Sequence, residues 1–371
     1  MVCKACIVGT YQRKLEEIAA HSDVELVVLV PPHWRERHNI RHLERVHTEG
    51  YVLKVVPVRF SGNYHLHYYP TLSKELRELK PDILHMDEEP YNLATWLAIR
   101  HAFKQRVLSL FFTWQNIYRR YPPPFAAFER FVYNHANFAI AGNEEALEVL
   151  RRKGFRGPGR VIPQFGVDPE VFAPAAQAAD RPFTIGFAGR LVPEKGVDIL
   201  LHAVAKLGGD WRLHIVGDGP ARPQLKQMAH RLNIQARVRW SPSIPSAEMP
   251  EFYRGLDVLV LPSRTRPNWK EQFGRVLIEA MACEVPVIGS TCGEIPNVIG
   301  EAGLTFPEED ADALAAHLRA LQEDRALRRS LGKQGRERVL AHFTHRHIAE
   351  ETVHVYRHLV YDIGIPPVVS R

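Results

Sequence analysis

The 371-residue sequence has few cysteines and no apolar run long enough to cross a bilayer. Four cysteines are too few for a disulfide framework in a chain of this size, and a membrane span needs about 20 consecutive apolar residues. The first residues run quickly into charge, so they predict a β-strand rather than a signal peptide. We therefore expect a globular protein in the cytoplasm.

Cys3 and Cys6 have the CxxC spacing that is common in redox and metal sites. On the predicted strand, however, residues three apart point to opposite faces, and no second Cys or His pair completes a zinc site. We therefore expect neither a metal nor a redox role for this pair. Cys283 and Cys292 are interpreted as packing residues.

The formal net charge is +6, but the basic residues are not clustered in one segment of the sequence. A positive balance favours an anionic partner, which could be a nucleotide, a phospholipid surface or a nucleic acid. Basic residues alternate with acidic ones, and no DNA- or RNA-binding signature accompanies them. We therefore expect no nucleic-acid partner.

Residues 33–47 combine four Arg and four His with the apolar residues Trp34, Ile40, Leu43 and Val46. The segment could be an amphipathic surface that meets anionic lipid or a lipid-phosphate acceptor. It could equally be a solvated linker or helix between two strands. The sequence leaves both interpretations open.

The first half of the chain alternates β-rich apolar runs with helical patterns. This alternation predicts a parallel sheet with helices on both faces, and Gly9 stands alone where a dinucleotide fingerprint has three glycines. A stretch without apolar periodicity then predicts an interdomain linker. The predicted strands are at 3–9, 24–30, 51–58, 82–85, 107–113 and 138–141; the predicted domains are 1–172 and 183–346, with a linker at 173–182 and a last helical segment at 347–371.

In the second half, a predicted strand at 183–188 leads into a turn that carries Gly189, Arg190 and Lys195. Two cations around a glycine turn, at the carboxyl end of a strand, suit a diphosphate because Arg binds oxygens bidentately and Lys adds a mobile charge. The next predicted strand ends at Gly217, a residue that allows close backbone approach.

The stretch 263–290 is the most informative part of the sequence. Apolar periodicity predicts a helix from Gly274, between buried strands at 256–261 and 285–289, so its free N–H groups lie at the carboxyl edge of the sheet. Glu271 precedes this helix, and Glu279 lies about 12 Å further along the axis at about 1.5 Å per residue. Each carboxylate could hydrogen-bond a different diol of one extended ligand.

These motifs resemble those of family 4 glycosyltransferases of the GT-B fold. The resemblance implies two Rossmann-like α/β domains that face each other across a cleft, with a C-terminal helix that crosses back to the first domain. It places Glu271 on the donor sugar, Glu279 on the ribose hydroxyls, and Arg190 and Lys195 on the diphosphate. The remaining donor-binding residues that it implies are Gly189, Gly217, Phe273, Gly274, Arg275 and Val276.

The resemblance is weaker in the first half. Gln115 stands where many relatives have a histidine near the donor sugar, and Gln cannot exchange a proton at neutral pH. Gln115 and Glu88 remain possible contacts to the sugar or the acceptor. Outside the proposed ligand set, Glu284 stands where members of the family often have Gly, and Asn297 stands where they often have Glu.

By resemblance, the expected activity is retaining transfer of a hexose from a UDP- or GDP-linked sugar. No Asp-x-Asp motif stands where a donor-bound metal would require it, so we expect no metal and no cofactor. The expected acceptor is a glycan or a lipid-linked intermediate of cell-surface polysaccharide synthesis, with an anionic membrane surface as a further partner. Two alternatives stay open: an inactive sugar-nucleotide binding protein, which Gln115 would allow, and a dinucleotide-dependent sugar oxidoreductase.

Overall fold

The computed structural model of the chain describes residues 1–36, 39–175 and 181–361. The chain forms two compact units: Met1–Gly166 together with the chain from His345 onward, and Val167–Thr344. The first change of unit therefore comes after Gly166 rather than at the predicted residue 172. Val167 belongs to the second unit because it pairs with Thr344 and donates its N–H to the Phe343 carbonyl.

Only part of the predicted linker can be compared with the structure. Residues 176–180 lie outside the described residues. Arg181, near the end of the predicted linker 173–182, forms an ion pair with Asp257 at 3.0 Å and donates to the Gly255 carbonyl. Arg181 is therefore held by the second unit.

The elements of the first unit alternate as the sequence predicts, apart from the first strand and the segment 33–47. The strands are β1 (Val27–Val30), β2 (His33–Arg35), β3 (Ile40–His42), β4 (Val52–Val55), β5 (Ile83–Met86), β6 (Leu108–Thr113), β7 (Phe138–Ala141) and β8 (Gly159–Val161). The helices are α1 (Arg13–Ala19), α2 (Leu72–Leu79), α3 (Leu93–Gln105), α4 (Phe125–His135) and α5 (Glu144–Arg152).

The elements of the second unit are a second set of alternating strands and helices. The strands are β9 (Phe183–Ala188), β10 (Trp211–Val216), β11 (Val238–Ser241), β12 (Val258–Leu261), β13 (Val287–Ser290) and β14 (Leu304–Phe306). The helices are α6 (Val197–Val204), α7 (Arg222–Arg231), α8 (Met249–Arg254), α9 (Arg275–Ala282), α10 (Ile295–Ile299), α11 (Ala311–Glu323) and α12 (Arg325–His342), and α13 (His345–Tyr361) returns to the first unit.

The predicted strand at 3–9 is wrong, because none of these residues lies in a strand. Val2 alone bridges β1 and β5, in parallel with Leu29 and Met86, and it therefore lies between those two strands. The backbone then turns through two 3₁₀ segments, Ala5–Ile7 and Gly9–Gln12. The first unit thus has its earliest segment in the middle of the sheet, between β1 and β5.

The expectation that Cys3 and Cys6 point apart is also wrong. Both side chains are buried and joined in a disulfide, and the Cys6 N–H donates to Cys3 Sγ at 3.2 Å. That expectation assumed that residues 3–9 form one continuous strand. The 3₁₀ turn between the two residues brings them to the same side instead.

The described part of residues 33–47 contains no helix, which one interpretation had allowed. Strands β2 and β3 pair antiparallel as a hairpin, whose Arg37 and His38 lie outside the described residues. The apolar residues divide between two environments: Trp34 is 4% exposed, whereas Ile40 and Val46 are 43% and 60% exposed. The hairpin therefore presents apolar and basic side chains to solvent together.

The second unit has one parallel sheet with strand order β11-β10-β9-β12-β13-β14. Numbered within the unit, this order is 3-2-1-4-5-6, the order of a doubly wound nucleotide-binding fold. The connections reverse direction between β9 and β12. Ligands of such sheets bind outside the carboxyl ends of the strands at this reversal, which here is where the two predicted ligand loops begin.

Helix α13 packs on the first unit, as the resemblance implies; residues 362–371 of the predicted last segment lie outside the described residues. Ile348, Val353 and Leu359 are buried in the apolar core of that unit. The Tyr356 hydroxyl lies 2.7 Å from His85 Nδ1, and Arg357 holds Asp23 with two contacts of 2.8 Å. The last helix is thus an integral part of the first unit.

Glu284, where relatives often have Gly, has the left-handed φ of 57° that favours Gly after a helix. We expect Glu284→Gly to raise stability by roughly 0.5–1 kcal/mol, because the strain of a side chain in this conformation is removed. Urea unfolding monitored by circular dichroism measures the effect. As a control, Glu337→Gly inside α12 should lower stability by about 1 kcal/mol. A lower midpoint for Glu284→Gly would contradict this account.

Candidate active site

Three loops of the second unit meet at the carboxyl edge of its sheet. The loops follow β9, β10 and β12, and backbone hydrogen bonds join them. Gly189 donates to the Val216 carbonyl at 3.0 Å, Leu191 to the Asp218 carbonyl at 2.9 Å, and Arg264 to the Glu194 carbonyl at 2.9 Å. The fold therefore brings the predicted ligand loops together at the sheet reversal.

Lys195 and Glu271, which are predicted to bind different parts of the donor, contact each other. Lys195 Nζ lies 2.5 Å from Glu271 Oε2, which also accepts a 2.9 Å hydrogen bond from Ser263. Their side chains are only 20% and 10% exposed. An ammonium group has three donors, so Lys195 can keep this partner and still bind a phosphate oxygen.

Trp269 completes the surroundings of Lys195. The Lys195 ammonium lies 5.0 Å from the centre of the Trp269 ring, within the range of a cation–π contact. A tight turn fixes the indole, because Arg266 and Trp269 exchange backbone hydrogen bonds of 2.8 and 3.1 Å. Sequence reasoning missed both Trp269 and Ser263, although both lie in the stretch 263–290.

Arg190 is an exposed cation at this edge. Within the residues that the structure describes, its guanidinium makes no ion pair and no side-chain hydrogen bond. The other predicted cation, Lys195, is held in a part-buried pair. Arg190 is thus available to an incoming anion, while Lys195 is already oriented by its neighbours.

Helix α9 begins where the sequence predicts. Gly274 is its N-cap, with a left-handed φ of 79°, and a Cβ there would lie 2.9 Å from Leu261 Cδ2. The Phe273 ring packs at 5.7 Å against Phe343, and Val276 packs against the same apolar core. The Phe273 side chain is thus partly buried against this core, and a donor contact through its backbone amide stays a prediction.

Glu279 lies on α9 and is buried. Tyr253 donates to one carboxylate oxygen at 2.6 Å, and Arg275 contacts the other at 2.9 Å. Burial raises the pKa of Glu279, and the contacts of Arg275 and Tyr253 oppose that rise. Sequence reasoning missed Tyr253, because it precedes Glu279 by 26 residues and no local pattern joins them.

Gly189 and Gly217 are adjacent in space. Their φ values are 155° and 139°, and a Cβ on Gly217 would lie 1.9 Å from the Gly189 carbonyl oxygen. Packing of the two turns therefore already requires glycine at position 217. A contact between Gly217 and a ligand would be an additional role.

Glu88, predicted as a possible acceptor contact, is 2% exposed. Its carboxylate contacts Lys4 at 3.0 Å, His67 and Tyr69 at 2.8 Å, and Asn92 at 3.2 Å. Burial alone would raise the pKa of Glu88, but the Lys4 and His67 charges hold it well below its usual range. Glu88 thus anchors Lys4 from beneath the surface.

Gln115 follows β6 and is 8% exposed. Its amide nitrogen donates to the Tyr121 hydroxyl at 3.3 Å, and its oxygen accepts from Lys153 at 3.4 Å. Gln115 therefore belongs to a polar network at the carboxyl edge of the first sheet.

The turn at Gly9 is occupied by the chain itself. The Gly9 N–H donates to Glu44 Oε2 at 2.7 Å, and a Cβ on Gly9 would lie 2.3 Å from Val46 Cγ2. In a dinucleotide-binding fold the pyrophosphate lies on the corresponding turn. This arrangement counts against the oxidoreductase alternative.

Among the described residues, one group of potential metal ligands is close enough to share an ion: Cys3, Cys6 and Asp87, within 4.8 Å of one another. The two sulfur atoms are joined in the disulfide, and the Lys14 ammonium lies 3.7 Å from Asp87 Oδ2. The disulfide and the neighbouring positive charge make this group poorly suited to a cation.

Solved structures identify the class of fold. Sucrose-phosphate synthase from Thermosynechococcus elongatus matches with a TM-score of 0.70 and 23% identity, over 94% of this chain and 92% of that one. HepE from Anabaena, solved in complex with UDP, matches with a TM-score of 0.72 and 17% identity, over 96% of this chain and 98% of that one. The two α/β units thus have the fold of GT-B glycosyltransferases.

Family profiles then identify the family. Residues 8–171 match the profile "Glycosyltransferase Family 4", and residues 170–338 match "Glycosyl transferases group 1". The chain belongs to the family 4 glycosyltransferases.

Curated relatives are similar over part of their length. D-inositol 3-phosphate glycosyltransferase of Streptomyces bingchenggensis is 36% identical over 51% of this chain and 46% of the relative. A GDP-mannose-dependent phosphatidylinositol monomannoside mannosyltransferase of Mycolicibacterium smegmatis is 34% identical over 55% of this chain and 54% of the relative. The chain spans about half the length of these relatives.

Across the described residues, no helix has both the length and the apolarity of a transmembrane segment.

Proposed function

We propose that this chain transfers a hexose from a UDP- or GDP-linked sugar to a hydroxyl acceptor, with retention of anomeric configuration and without a metal ion. The observation that carries the proposal is the Lys195–Glu271 pair at the sheet reversal of the second unit, beside the first turn of α9. The similarity to nucleotide-sugar enzymes supports the same assignment.

The chemistry that this site has to perform is departure of a diphosphate. Arg190, Lys195 and the N–H groups at the start of α9 supply fixed positive potential for the charge that develops on the leaving oxygen. Glu271 orients the sugar, and Glu279 accepts the ribose hydroxyls. The acceptor attacks from the face that the diphosphate leaves, and a diphosphate oxygen takes its proton, so no protein base is required at Gln115.

Thermal-shift measurements with UDP, GDP, ADP and their sugars test the proposal. A ligand that binds only the native state raises the melting temperature, with about 2.7 kcal/mol of stabilisation at 100 times its Kd. We expect one nucleoside diphosphate and the corresponding nucleotide sugar to raise the melting temperature in this way, and the shift to be the same with and without EDTA. A shift with a nicotinamide dinucleotide alone would favour the oxidoreductase, and a shift that needs a divalent ion would refute metal independence.

For the acceptor, we propose a glycan or a lipid-linked intermediate of cell-surface polysaccharide synthesis, used in the cytoplasm at the inner face of a membrane. The relative that acts on a phosphatidylinositol mannoside supports a membrane-bound acceptor. The exposed Ile40 and Val46 beside Arg41 and Arg45 support contact with an anionic surface.

Sedimentation with liposomes tests this contact. We expect the protein to sediment with anionic liposomes at low salt and to be released at high salt, because exposed charges are screened. Arg41→Glu combined with Arg45→Glu should abolish sedimentation, whereas Arg231→Glu on α7 should not. An absence of sedimentation at low salt would refute the membrane contact.

A further inference from the structure

Tyr253 and Glu279 form a buried pair between two helices of the second unit. Tyr253 lies on α8 and Glu279 on α9, and the two helices pack against each other. The Tyr253 hydroxyl donates to Glu279 Oε2 at 2.6 Å, a distance typical of an O–H donor and a carboxylate. The pair therefore joins α8 to the helix that begins at Gly274, in the proposed donor site.

The apolar core of the second unit holds the Tyr253 ring. Tyr253 is 0% exposed, and the rings of Phe252 and Phe172 lie 5.3 and 6.2 Å from it. Because packing fixes the ring, the hydroxyl has one position with or without a ligand. Tyr253 thus presents a preorganised donor to Glu279.

Both oxygens of the Glu279 carboxylate are held, and each can accept a further hydrogen bond. Tyr253 contacts Oε2, and Arg275 contacts Oε1 at 2.9 Å. Neither oxygen has a second partner within the described residues, whereas a carboxylate offers about four lone-pair sites. The side chain is 9% exposed, so part of it reaches the surface. The arrangement suits two adjacent hydroxyl donors, one on each oxygen.

A carboxylate in this position is costly to keep ionised. Burial raises the pKa of Glu279, while Arg275 and Tyr253 lower it. Replacing a buried ion pair by apolar side chains is often neutral or stabilising, so stability alone does not explain the charge. A buried carboxylate with a shifted pKa beside a ligand site is instead a candidate for a functional group.

Other charges near this pair act on Cys283 rather than on Glu279. Burial raises the pKa of Cys283 to about 12, while Arg254 on α8 and Arg336 on α12 lower it. Cys283 therefore stays an uncharged thiol near neutral pH. Among the described residues, burial, Arg275 and Tyr253 set the charge state of Glu279.

We propose that Tyr253 is a positioning residue for the donor: it orients the Glu279 carboxylate and keeps it ionised, so that the carboxylate accepts the 2′- and 3′-hydroxyls of the ribose. This inference rests on the proposed function. An ionised carboxylate only accepts hydrogen bonds, whereas a protonated one uses one oxygen for its own O–H. Tyr253 therefore favours a ribonucleotide over the 2′-deoxy analogue, although it does not touch the ligand.

Calorimetric titration with a nucleoside diphosphate and its 2′-deoxy analogue tests the ribose contact. The probes are UDP and dUDP, or the corresponding pair with the base that the thermal-shift screen selects. Because the two probes share base and diphosphate, the ratio of their Kd values isolates the 2′-hydroxyl. We expect the ribonucleotide to bind tighter by roughly tenfold or more, since a hydrogen bond to a charged group is lost with that hydroxyl. A ratio of one would overturn the proposal.

Matched variants test the role of Tyr253. Tyr253→Phe keeps the ring and removes the hydroxyl, and it should lower the ratio by about fivefold at neutral pH, the equivalent of one hydrogen bond. Tyr133→Phe is the control, because Tyr133 donates to Glu129 at 3.1 Å in a buried pair of the first unit, and it should leave the ratio unchanged. If Tyr253→Phe weakened both nucleotides equally, its role would be structural only and the proposal would fail.

The pH dependence of the same ratio gives a second readout. The ratio should fall as the pH drops through the pKa of Glu279, because the carboxylate is then protonated. Tyr253→Phe removes a group that lowers this pKa, so its ratio should begin to fall at a higher pH. Site-specific 3-fluorotyrosine at position 253, a stronger donor of nearly the same shape, should move the fall to a lower pH, and it replaces Tyr253→Phe should that variant not fold. Identical profiles would overturn the proposal.

These measurements also separate the inference from the proposed function. A protein that binds no nucleoside diphosphate refutes the proposed function, and the inference falls with it. A protein that binds one with a high ratio that Tyr253→Phe does not change refutes the role of Tyr253 alone.

Discussion

Replacing either Lys195 or Glu271 with Ala should lower the rate of glycosyl transfer by at least about 100-fold, the effect of losing one transition-state contact. Lys195→Ala removes the oriented ammonium group that we propose to stabilise the negative charge of the leaving diphosphate. Glu271→Ala removes both a predicted sugar contact and the group that holds Lys195 at 2.5 Å. Initial rates with the donor found by thermal shift measure the loss.

The two residues should also act as a unit. Because they contact each other, the double variant should lose much less than the product of the two single losses. Lys206→Ala is the matched control, since Lys206 pairs with Asp312 at the surface of the same unit, and it should leave the rate unchanged. Near-normal transfer by either single variant would refute the catalytic assignment.

Gly217→Ala should destabilise the second unit by roughly 3 kcal/mol. This value sums the cost of placing alanine in a backbone conformation that favours glycine and the cost of a steric overlap. The new Cβ would lie 1.9 Å from the Gly189 carbonyl oxygen at a φ of 139°. Displacement of the two turns should also move Arg190 away from the diphosphate, so nucleotide binding should be lost together with stability. Chemical unfolding and calorimetric titration of the nucleotide measure the two effects.

Gly208→Ala is the control for this experiment, because a Cβ at Gly208 has no atom within 4 Å. It should leave both stability and nucleotide affinity close to those of the wild type. If Gly217→Ala kept full stability but lost the nucleotide, the packing explanation would fail and a direct ligand contact would remain.

The sequence predicted most of the second unit because its signals are local. The strand at 183–188 matches β9 at both ends, and the helix predicted from Gly274 begins there. Apolar runs and a glycine before a helix report on burial and backbone conformation within a few residues. These are the features that one segment encodes without its neighbours.

The errors fall where distant segments decide the structure. The strand predicted at 3–9 does not form because the CxxC segment turns directly after the bridge of Val2, and only the fold shows that Cys3 and Cys6 meet. Within residues 33–47, strands β2 and β3 pair as a hairpin, since spacing alone did not separate helix from strand in a segment with so few apolar residues.

The partners of individual side chains could not be predicted from the sequence either. The two residues expected on separate parts of a donor, Lys195 and Glu271, are 76 residues apart in the chain and form an ion pair. Glu88, a possible contact to the sugar or the acceptor by its position in the sequence, is buried beneath Lys4. Spacing identified which residues reach the carboxyl edge of each sheet, and tertiary packing decided which of their side chains are buried or paired.

A crystal structure of the protein with its nucleotide sugar is the most direct test of the central claim. The account predicts the diphosphate at the carboxyl edge of the second sheet, within hydrogen-bonding distance of Arg190, Lys195 and the N–H groups at Gly274, with the ribose at Glu279. A nucleotide sugar bound anywhere else on the chain, with the Lys195–Glu271 pair untouched, would contradict it.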